Sequence, residues 1–403
     1  MLKTIPTNQV TLGMHIHALN GAWIDHPFWK SKFILEDVED LKKLKSSSIK
    51  EVVIDIAKGL DVKVVQIEPM IEKELIPPEA PAEAPKTKIP VIRVSAAEEQ
   101  VRAKKILQAS KKAVTTMLND VRMGKAVNPG TATALVEEIA SSVTRNESAL
   151  ISLVRLKTKD DYTYMHSVAV CALMIALAKE LDLNETEAKQ AGMAGLLHDV
   201  GKAGIPLEVL NKPGALTDDE FTLVKLHPER GHALLMQANI LDEVVLDVCL
   251  HHHEKVNGSG YPHKLVADNI SLFAKMGAVC DVYDAVTSNR PYKAGWEPGV
   301  SLQRMAQWEG HFDETIFKAF VRSIGIYPIG SMVKLKSGRL AVVIDQNEKS
   351  LLTPIVKVFF STKSKSRIAV ETLDLSKPNI NDSIASHEDP ATWGIHNMQE
   401  IWT

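Results

Sequence analysis

The side chains able to do chemistry in this 403-residue chain are concentrated in its histidines and a few aspartates. His166 lies in Tyr164-Met165-His166-Ser167, and His198-Asp199 in Leu196-Leu197-His198-Asp199-Val200-Gly201-Lys202. His227 precedes Pro228, His252-His253 precede Glu254, and Asp281 lies in Cys280-Asp281-Val282-Tyr283-Asp284-Ala285. A single histidine on an apolar helix is ordinarily a satisfied core residue. That expectation weakens for a set in which the imidazoles have other metal-competent side chains beside them. His198 and Asp199 follow the apolar stretch Ala194-Gly195-Leu196-Leu197, so both head toward a buried region. A carboxylate there must be paired or bound to a cation, because an isolated buried charge is too costly. Neutral imidazoles mixed with carboxylates suit iron, manganese or zinc. Gly201 and Gly204 then end the helix and leave Lys202 near its last turn.

The pair of motifs HDVGK and HHEKVNGSGYP resembles the HD-GYP branch of the HD phosphohydrolase superfamily. The surroundings are similar too: Asp161 to Ser167 upstream, Ile205-Pro206 and Leu210 to Gly214 after the HD pair, then Leu226-His227-Pro228. Asp281 to Ala285 and Asn289-Arg290-Pro291-Tyr292-Lys293 complete the set, so the likeness runs from about 150 to 320. It implies a phosphodiesterase that opens cyclic di-GMP to linear pGpG, and onward to GMP. A preference for 3′,3′-cyclic GMP-AMP is the alternative within that class, and a weakly catalytic cyclic-dinucleotide or partner-binding module the alternative outside it.

The same resemblance implies two divalent transition-metal ions, iron or manganese. One would be held by His166, His198, Asp199 and Asp281, and the other by His227, His252 and His253 with Asp199 shared as a bridge. Such a pair lowers the pKa of a shared water, and charge developing on the phosphodiester is stabilised electrostatically. Lys202 would orient the nucleophile or the phosphate beside Asp199. Arg290 and Lys293 would grip substrate phosphates, and Tyr261 would stack on or hydrogen-bond the ligand. The Gly258-Ser259-Gly260-Tyr261-Pro262 loop would also offer a protein partner a docking surface. Asn257 departs from the pattern, standing where the family carries an acid. Tyr162 stands four residues before His166, where three-metal members carry a glutamate, which favours two ions here.

These residues need a scaffold, and the chain divides into segments able to supply one. Residues 95–323 show helical periodicity throughout: Leu107, Val114 and Val121 with Met117 and Leu118, then, past Asn128-Pro129-Gly130, Leu135, Ile139, Val143, Leu150 and Val154. Two long helices packed as a hairpin are the expectation for that stretch, leading into an all-α HD-type catalytic domain. Residues 1–68 read as a small α+β domain of regulatory character, with Leu35, Val38, Leu41 and Leu44 at helical spacing and β-branched runs at 52–56 and 62–67 around Lys58-Gly59. They resemble, more weakly, a domain of unknown function often found ahead of HD-GYP domains, through Leu12-Gly13-Met14, Trp23, His26-Pro27-Phe28 and Val53-Ile54-Asp55. Residues 69–94, with prolines at 69, 77, 78, 81, 85 and 90, read as a semi-extended linker. Residues 324–403 read as a short β-rich extension ending in a polar tail, with strands at 332–335, 340–344 and 355–360.

Hydrophobic residues make up 45% of the chain and charged residues 24%, which fits a folded globular protein and excludes wholesale disorder. A net charge of −3 supplies no global basic field for duplex DNA or a membrane surface. The longest purely apolar run, Val168 to Ala178, is far short of the ~20 residues a spanning helix needs. Cys171, Cys249 and Cys280 are scattered in apolar segments without CxxC pairing, as in a reducing compartment, so a cytoplasmic protein is expected.

Overall fold

The computed structural model describes residues 2–20, 33–35, 37–46, 49–60, 94, 96–154, 162–212, 214–288, 295–347, 350–395 and 401. The expected strand at 62–67, the proline-rich stretch from 69 to 90, Trp23 with His26-Pro27-Phe28, Arg290 and Lys293 all lie outside them. So do Asp161 and the side chain of Tyr162. The chain forms two compact units, Met1–Pro90 and Val91–Thr403.

In the first unit, β1 (Leu2–Pro6), β2 (His15–Asn20), β3 (Phe33–Ile34) and β4 (Glu51–Asp55) form an antiparallel sheet in the order β1-β4-β2-β3. Alternation along β4 buries Val52 and Ile54 and leaves Glu51 exposed, the period of a half-buried strand. Helix α1 (Val38–Ser46) starts later than the apolar spacing suggested. Leu35 instead pairs its amide and carbonyl with the backbone of Met14 and Gly13 and packs into the sheet's core.

The second unit begins with α2 (Ala96–Arg122), α3 (Pro129–Arg145) and α4 (Glu147–Val154). The expected hairpin is therefore three helices. Asn146 caps the end of α3, and its side chain accepts from Ala149 N–H, which restarts the chain as α4. Glu99 of α2, fully buried, receives Arg145 at 2.7 Å and Ser142 at 2.8 Å, tying the first turn of α2 to the end of α3.

Helices α5 (Tyr162–Glu180) and α6 (Glu185–Leu197) pack closely. A Cβ on Gly195 would lie 2.9 Å from the Val170 carbonyl, so only glycine allows this backbone approach. Both helices are apolar around most of their circumference, as helices at the centre of a bundle must be. A 3-10 turn over Val200–Gly204 follows α6; Lys202 thus sits just past the helix rather than in its last turn. Then come α7 (Leu207–Leu210), α8 (Asp218–Val224), α9 (His227–Gln237), α10 (Glu243–His251), α11 (Leu272–Thr287), α12 (Pro298–Met305) and α13 (Glu314–Ile324).

The chain closes with β5 (Met332–Leu335), β6 (Arg339–Asp345), β7 (Ile355–Ser361), β8 (Ser366–Asp374) and β9 (Ile384–His387), antiparallel in the order β8-β7-β6-β5-β9. The first three match the β-branched runs in the sequence. The last two lie in what reads as polar tail: β8 is an edge strand exposed along most of its length, so burial imposes little apolar pattern on it. Among the described residues no helix is long and apolar enough to cross a membrane.

Candidate metal centre

Five helices deliver the metal-competent side chains to one buried point. His166 lies on α5, His198 caps the end of α6 with Asp199 next to it, and His227 opens α9. His252 caps the end of α10 with His253 after it, and Asp281 sits mid-way along α11. His166, His198, Asp199, His227, His252 and Asp281 are all buried, and His253 is partly so.

The ring hydrogen bonds fix which nitrogen faces inward. His198 Nδ1 donates to the Gly195 carbonyl at 2.8 Å, His227 Nδ1 to Val224 at 2.7 Å and His252 Nδ1 to Val248 at 2.9 Å. His166 Nδ1 donates to Asp284 Oδ2 at 2.6 Å. Each bond places the proton on Nδ1 and leaves the lone pair on Nε2. The four Nε2 atoms then meet carboxylate oxygens. His166 Nε2 is 3.0 Å from Asp281 Oδ1 and 3.5 Å from Asp199 Oδ2, and His198 Nε2 is 3.4 Å from Asp199 Oδ2. On the other side, His227 Nε2 lies 3.1 Å and His252 Nε2 3.7 Å from Asp199 Oδ1, with 3.3 Å between the two nitrogens. His253 Nδ1 is 3.7 Å from Asp281 Oδ2.

Acceptors crowded on acceptors repel unless positive charge sits among them. Among the described residues, buried His198 Nε2 and Asp199 Oδ1 find no hydrogen-bond donor. The donor set therefore fits divalent cations. It resolves into two groups of converging ligand atoms, His166, His198 and Asp199 on one side and Asp199, His227, His252 and His253 on the other. Asp199 belongs to both.

The electrostatics agree. Burial would raise the Asp199 and Asp281 carboxyls, but the neighbouring imidazoles, and Lys202 for Asp199, hold both well below the usual range. Burial opposes charge on His198, yet Asp199 and Asp281 pull its imidazole the other way, an attraction for positive charge that a bound cation would satisfy in place of a proton. Burial keeps His253 neutral by pushing it down to about 3. The pocket is thus an anionic centre lined by ligand nitrogens.

Around it stand residues of other kinds. Lys202 Nζ donates to Asp199 Oδ2. Tyr261 stacks on the His253 ring at 4.6 Å between centroids. Glu254 is buried next to the histidine pair but turns away from it, accepting His263 N–H at 2.7 Å and Leu265 N–H at 3.0 Å. It thereby folds the Gly-Tyr-Pro loop back on α10, helped by Gly260, whose Cβ would lie 2.5 Å from Glu254 Cα. Asn257 Oδ1 accepts Ser259 N–H at 3.0 Å and Ser259 O–H at 2.7 Å, an Asx turn that a carboxylate would form equally well. The departure from the family pattern at Asn257 therefore leaves the loop's geometry intact. His251 joins Asp247 at 2.7 Å and His263 at 3.0 Å, outside the ligand cluster.

Asp284 is the functional residue that sequence reasoning passed over. It lies one turn after Asp281 on the same face of α11, fully buried, and orients His166. Its spacing of three from Asp281 was the available signal. Carboxylates behind a ligating imidazole typically contribute 10- to 100-fold in metal affinity. Asp284→Asn is therefore expected to lower metal affinity by about tenfold or more in a competitive chelator titration; unchanged affinity would show that His166 needs no such support.

A family model described as an HD domain matches residues 135–316, and one described as a domain of unknown function matches residues 2–132. The chain is 49% identical over 405 residues to a cyclic di-GMP phosphodiesterase of Pseudomonas aeruginosa, covering 100% of this chain and 96% of that protein. It is 43% identical over 148 residues to a cyclic di-GMP phosphodiesterase response regulator of Xanthomonas campestris, covering 36% of this chain and 39% of the other. A 3′3′-cGAMP-specific phosphodiesterase of Vibrio cholerae is 34% identical over 190 residues, 47% of this chain and 42% of its own length.

Proposed function

Since the chain belongs to the HD-GYP branch of the HD-domain phosphodiesterases, we propose that it hydrolyses cyclic di-GMP to linear pGpG and onward to GMP. The observation that carries this reading is the shared carboxylate. Asp199 presents its two oxygens to two sets of imidazole lone pairs, the arrangement a two-ion phosphodiesterase needs.

We assign His166, His198, Asp199 and Asp281 to one ion and Asp199, His227, His252 and His253 to the other, with iron or manganese as the metals. Bound there, the ions supply Lewis acidity toward the phosphoryl oxygens and an acidified water. The chain's own groups do the rest. The Nδ1 bonds to Gly195, Val224, Val248 and Asp284 hold the imidazoles in one tautomer and orientation. Lys202, anchored on Asp199, places a positive charge where the nucleophile and phosphate meet. The Tyr261 hydroxyl hydrogen-bonds the substrate while its ring rests on His253. Arg290 and Lys293 grip phosphate oxygens. The Gly-Tyr-Pro loop docks a protein partner, the N-terminal unit regulates, and the enzyme acts in the cytoplasm.

Cyclic GMP-AMP is the second reading, supported by the 34% identity to the Vibrio cholerae enzyme. A binding module without turnover is disfavoured because six of the assigned ligands converge in two groups and the seventh, Asp281, lies 3.0 Å from His166. Incubating metal-loaded protein with cyclic di-GMP, cyclic GMP-AMP and cyclic di-AMP, with products separated by chromatography, decides among these. Preferential conversion of cyclic di-GMP to pGpG is the expected result. Failure to turn over any of the three, with metal bound, would remove the proposal.

A further inference from the structure

Next to the ligand cluster a column of side chains runs outward. Tyr261 covers the His253 ring, the Lys225 ammonium lies 5.8 Å from the Tyr261 ring centroid, and the same ammonium lies 4.4 Å over the ring of Phe221. These contacts link the His253 imidazole, the Tyr261 phenol, the Lys225 ammonium and the Phe221 ring in that order. Lys225 caps the end of α8 two residues before His227, and His227 Nδ1 is bound to the carbonyl of Val224. The lysine backbone is therefore fixed relative to the cluster. Another lysine, Lys212, is neutralised by Glu220 of α8 at 2.6 Å. Lys225 has no such partner among the described residues; its contacts are the two rings. Phe221, meanwhile, leaves 45% of its surface exposed on a helix held by a Thr217–Glu220 capping box.

A half-buried cation with no carboxylate, beside an exposed aromatic face, is the chemistry of a nucleotide subsite: positive charge for phosphate and a ring for a base. A cyclic dinucleotide needs such a place. It carries two phosphodiesters and two purines, and the metal ligands can take only the phosphodiester that is cleaved. We infer that Lys225 pairs with the phosphodiester that is not cleaved and that Phe221 stacks one purine, making them substrate-contacting residues that select a dinucleotide. This rests on the phosphodiesterase reading above and specifies its substrate contacts. The competing role for Lys225 is a prop that presses Tyr261 onto His253, which would act through the metal centre.

The test uses full-length metal-loaded protein and two substrates, cyclic di-GMP and bis(p-nitrophenyl) phosphate, the second having neither a purine nor another phosphodiester. In Phe221→Ala and Lys225→Met, KM for cyclic di-GMP is expected to rise about tenfold, with kcat held within about threefold. The ratio of kcat/KM for cyclic di-GMP over the small diester is expected to fall about tenfold. Phe221→Trp and Lys225→Arg, which keep the ring and the charge, should restore KM. Wild-type KM in both truncating variants overturns the inference. So does a parallel fall on both substrates with lost metal, which is the signature of the prop. Wild-type protein that cleaves the small diester but no cyclic dinucleotide would instead overturn the underlying reading before any variant is compared.

Discussion

Asp199→Ala is expected to empty the centre of both ions and to lower kcat/KM by at least about 10³-fold, since removing even one electrostatic donor from an active site costs ~10²–10³. The argument is geometric. Asp199 Oδ1 faces His227 and His252 while Oδ2 faces His166, His198 and Lys202. Asp281 approaches His166 and His198 and comes within 3.7 Å of His253, but among the described residues it pairs with neither His227 nor His252, so only Asp199 is shared by the four inward-facing Nε2 atoms. His166→Ala and His252→Ala should each remove one ion and spare the other. Asp199→Asn, nearly isosteric, separates loss of charge from loss of packing. Elemental analysis of anaerobically purified protein gives the count: about two ions per chain in the wild type, one in either histidine variant and none without Asp199. A full complement in Asp199→Ala would show that the carboxylate is no bridge, and about three in the wild type would show that Tyr162 stands in no ligand's way.

One part of the candidate set was legible locally: His198-Asp199 follows an apolar helix, so burial of both could be read from the chain alone. The other assigned ligands came from the resemblance to the HD-GYP motifs, since His166, His227 and Asp281 stand singly and His253 is only partly buried. Asp284 was hidden for the opposite reason. Its partner His166 is 118 residues away, and their 2.6 Å contact exists only because α11 packs on α5. Glu254 misleads in the other direction: adjacent to two ligands, it is captured by the amides of His263 and Leu265 rather than by the centre. Phe221 and Lys225 carry no motif, and their position beside Tyr261 follows from the loop's return onto α10. In the fold, α2 and α3 showed their periodicity because one face of each is buried, and β5 and β6 showed apolar runs because both of their faces are. Strand β8 showed little, being exposed on both faces for most of its length, and the α3–α4 break depends on a single capping residue, Asn146.

The glycine of the HDVGK motif should matter nearly as much as the ligands, and through backbone alone. A Cβ on Gly201 would lie 2.0 Å from the His227 carbonyl oxygen and 2.5 Å from the Gly231 amide nitrogen. Both neighbours are main chain, so no rotamer change relieves the clash. The turn at Val200–Gly204 must move away from α9 by an ångström or more. Gly231 cannot yield in turn, since its own Cβ position lies 2.7 Å from Cys249 Sγ on α10. The displaced elements are those that carry Asp199, His227 and His252, so the shift separates ligands whose atoms now converge. Gly201→Ala is thus expected to cost about 1–3 kcal/mol of stability through overpacking, and about 10²-fold in kcat through a misplacement near 1 Å. Urea unfolding and steady-state kinetics on the same preparation measure the two effects. Gly204→Ala is the control, because its Cβ would meet nothing closer than Arg230 Cδ at 3.8 Å. If Gly201→Ala kept wild-type stability, metal content and kcat, the approach of the HD turn to α9 would not be what sets the ligand geometry.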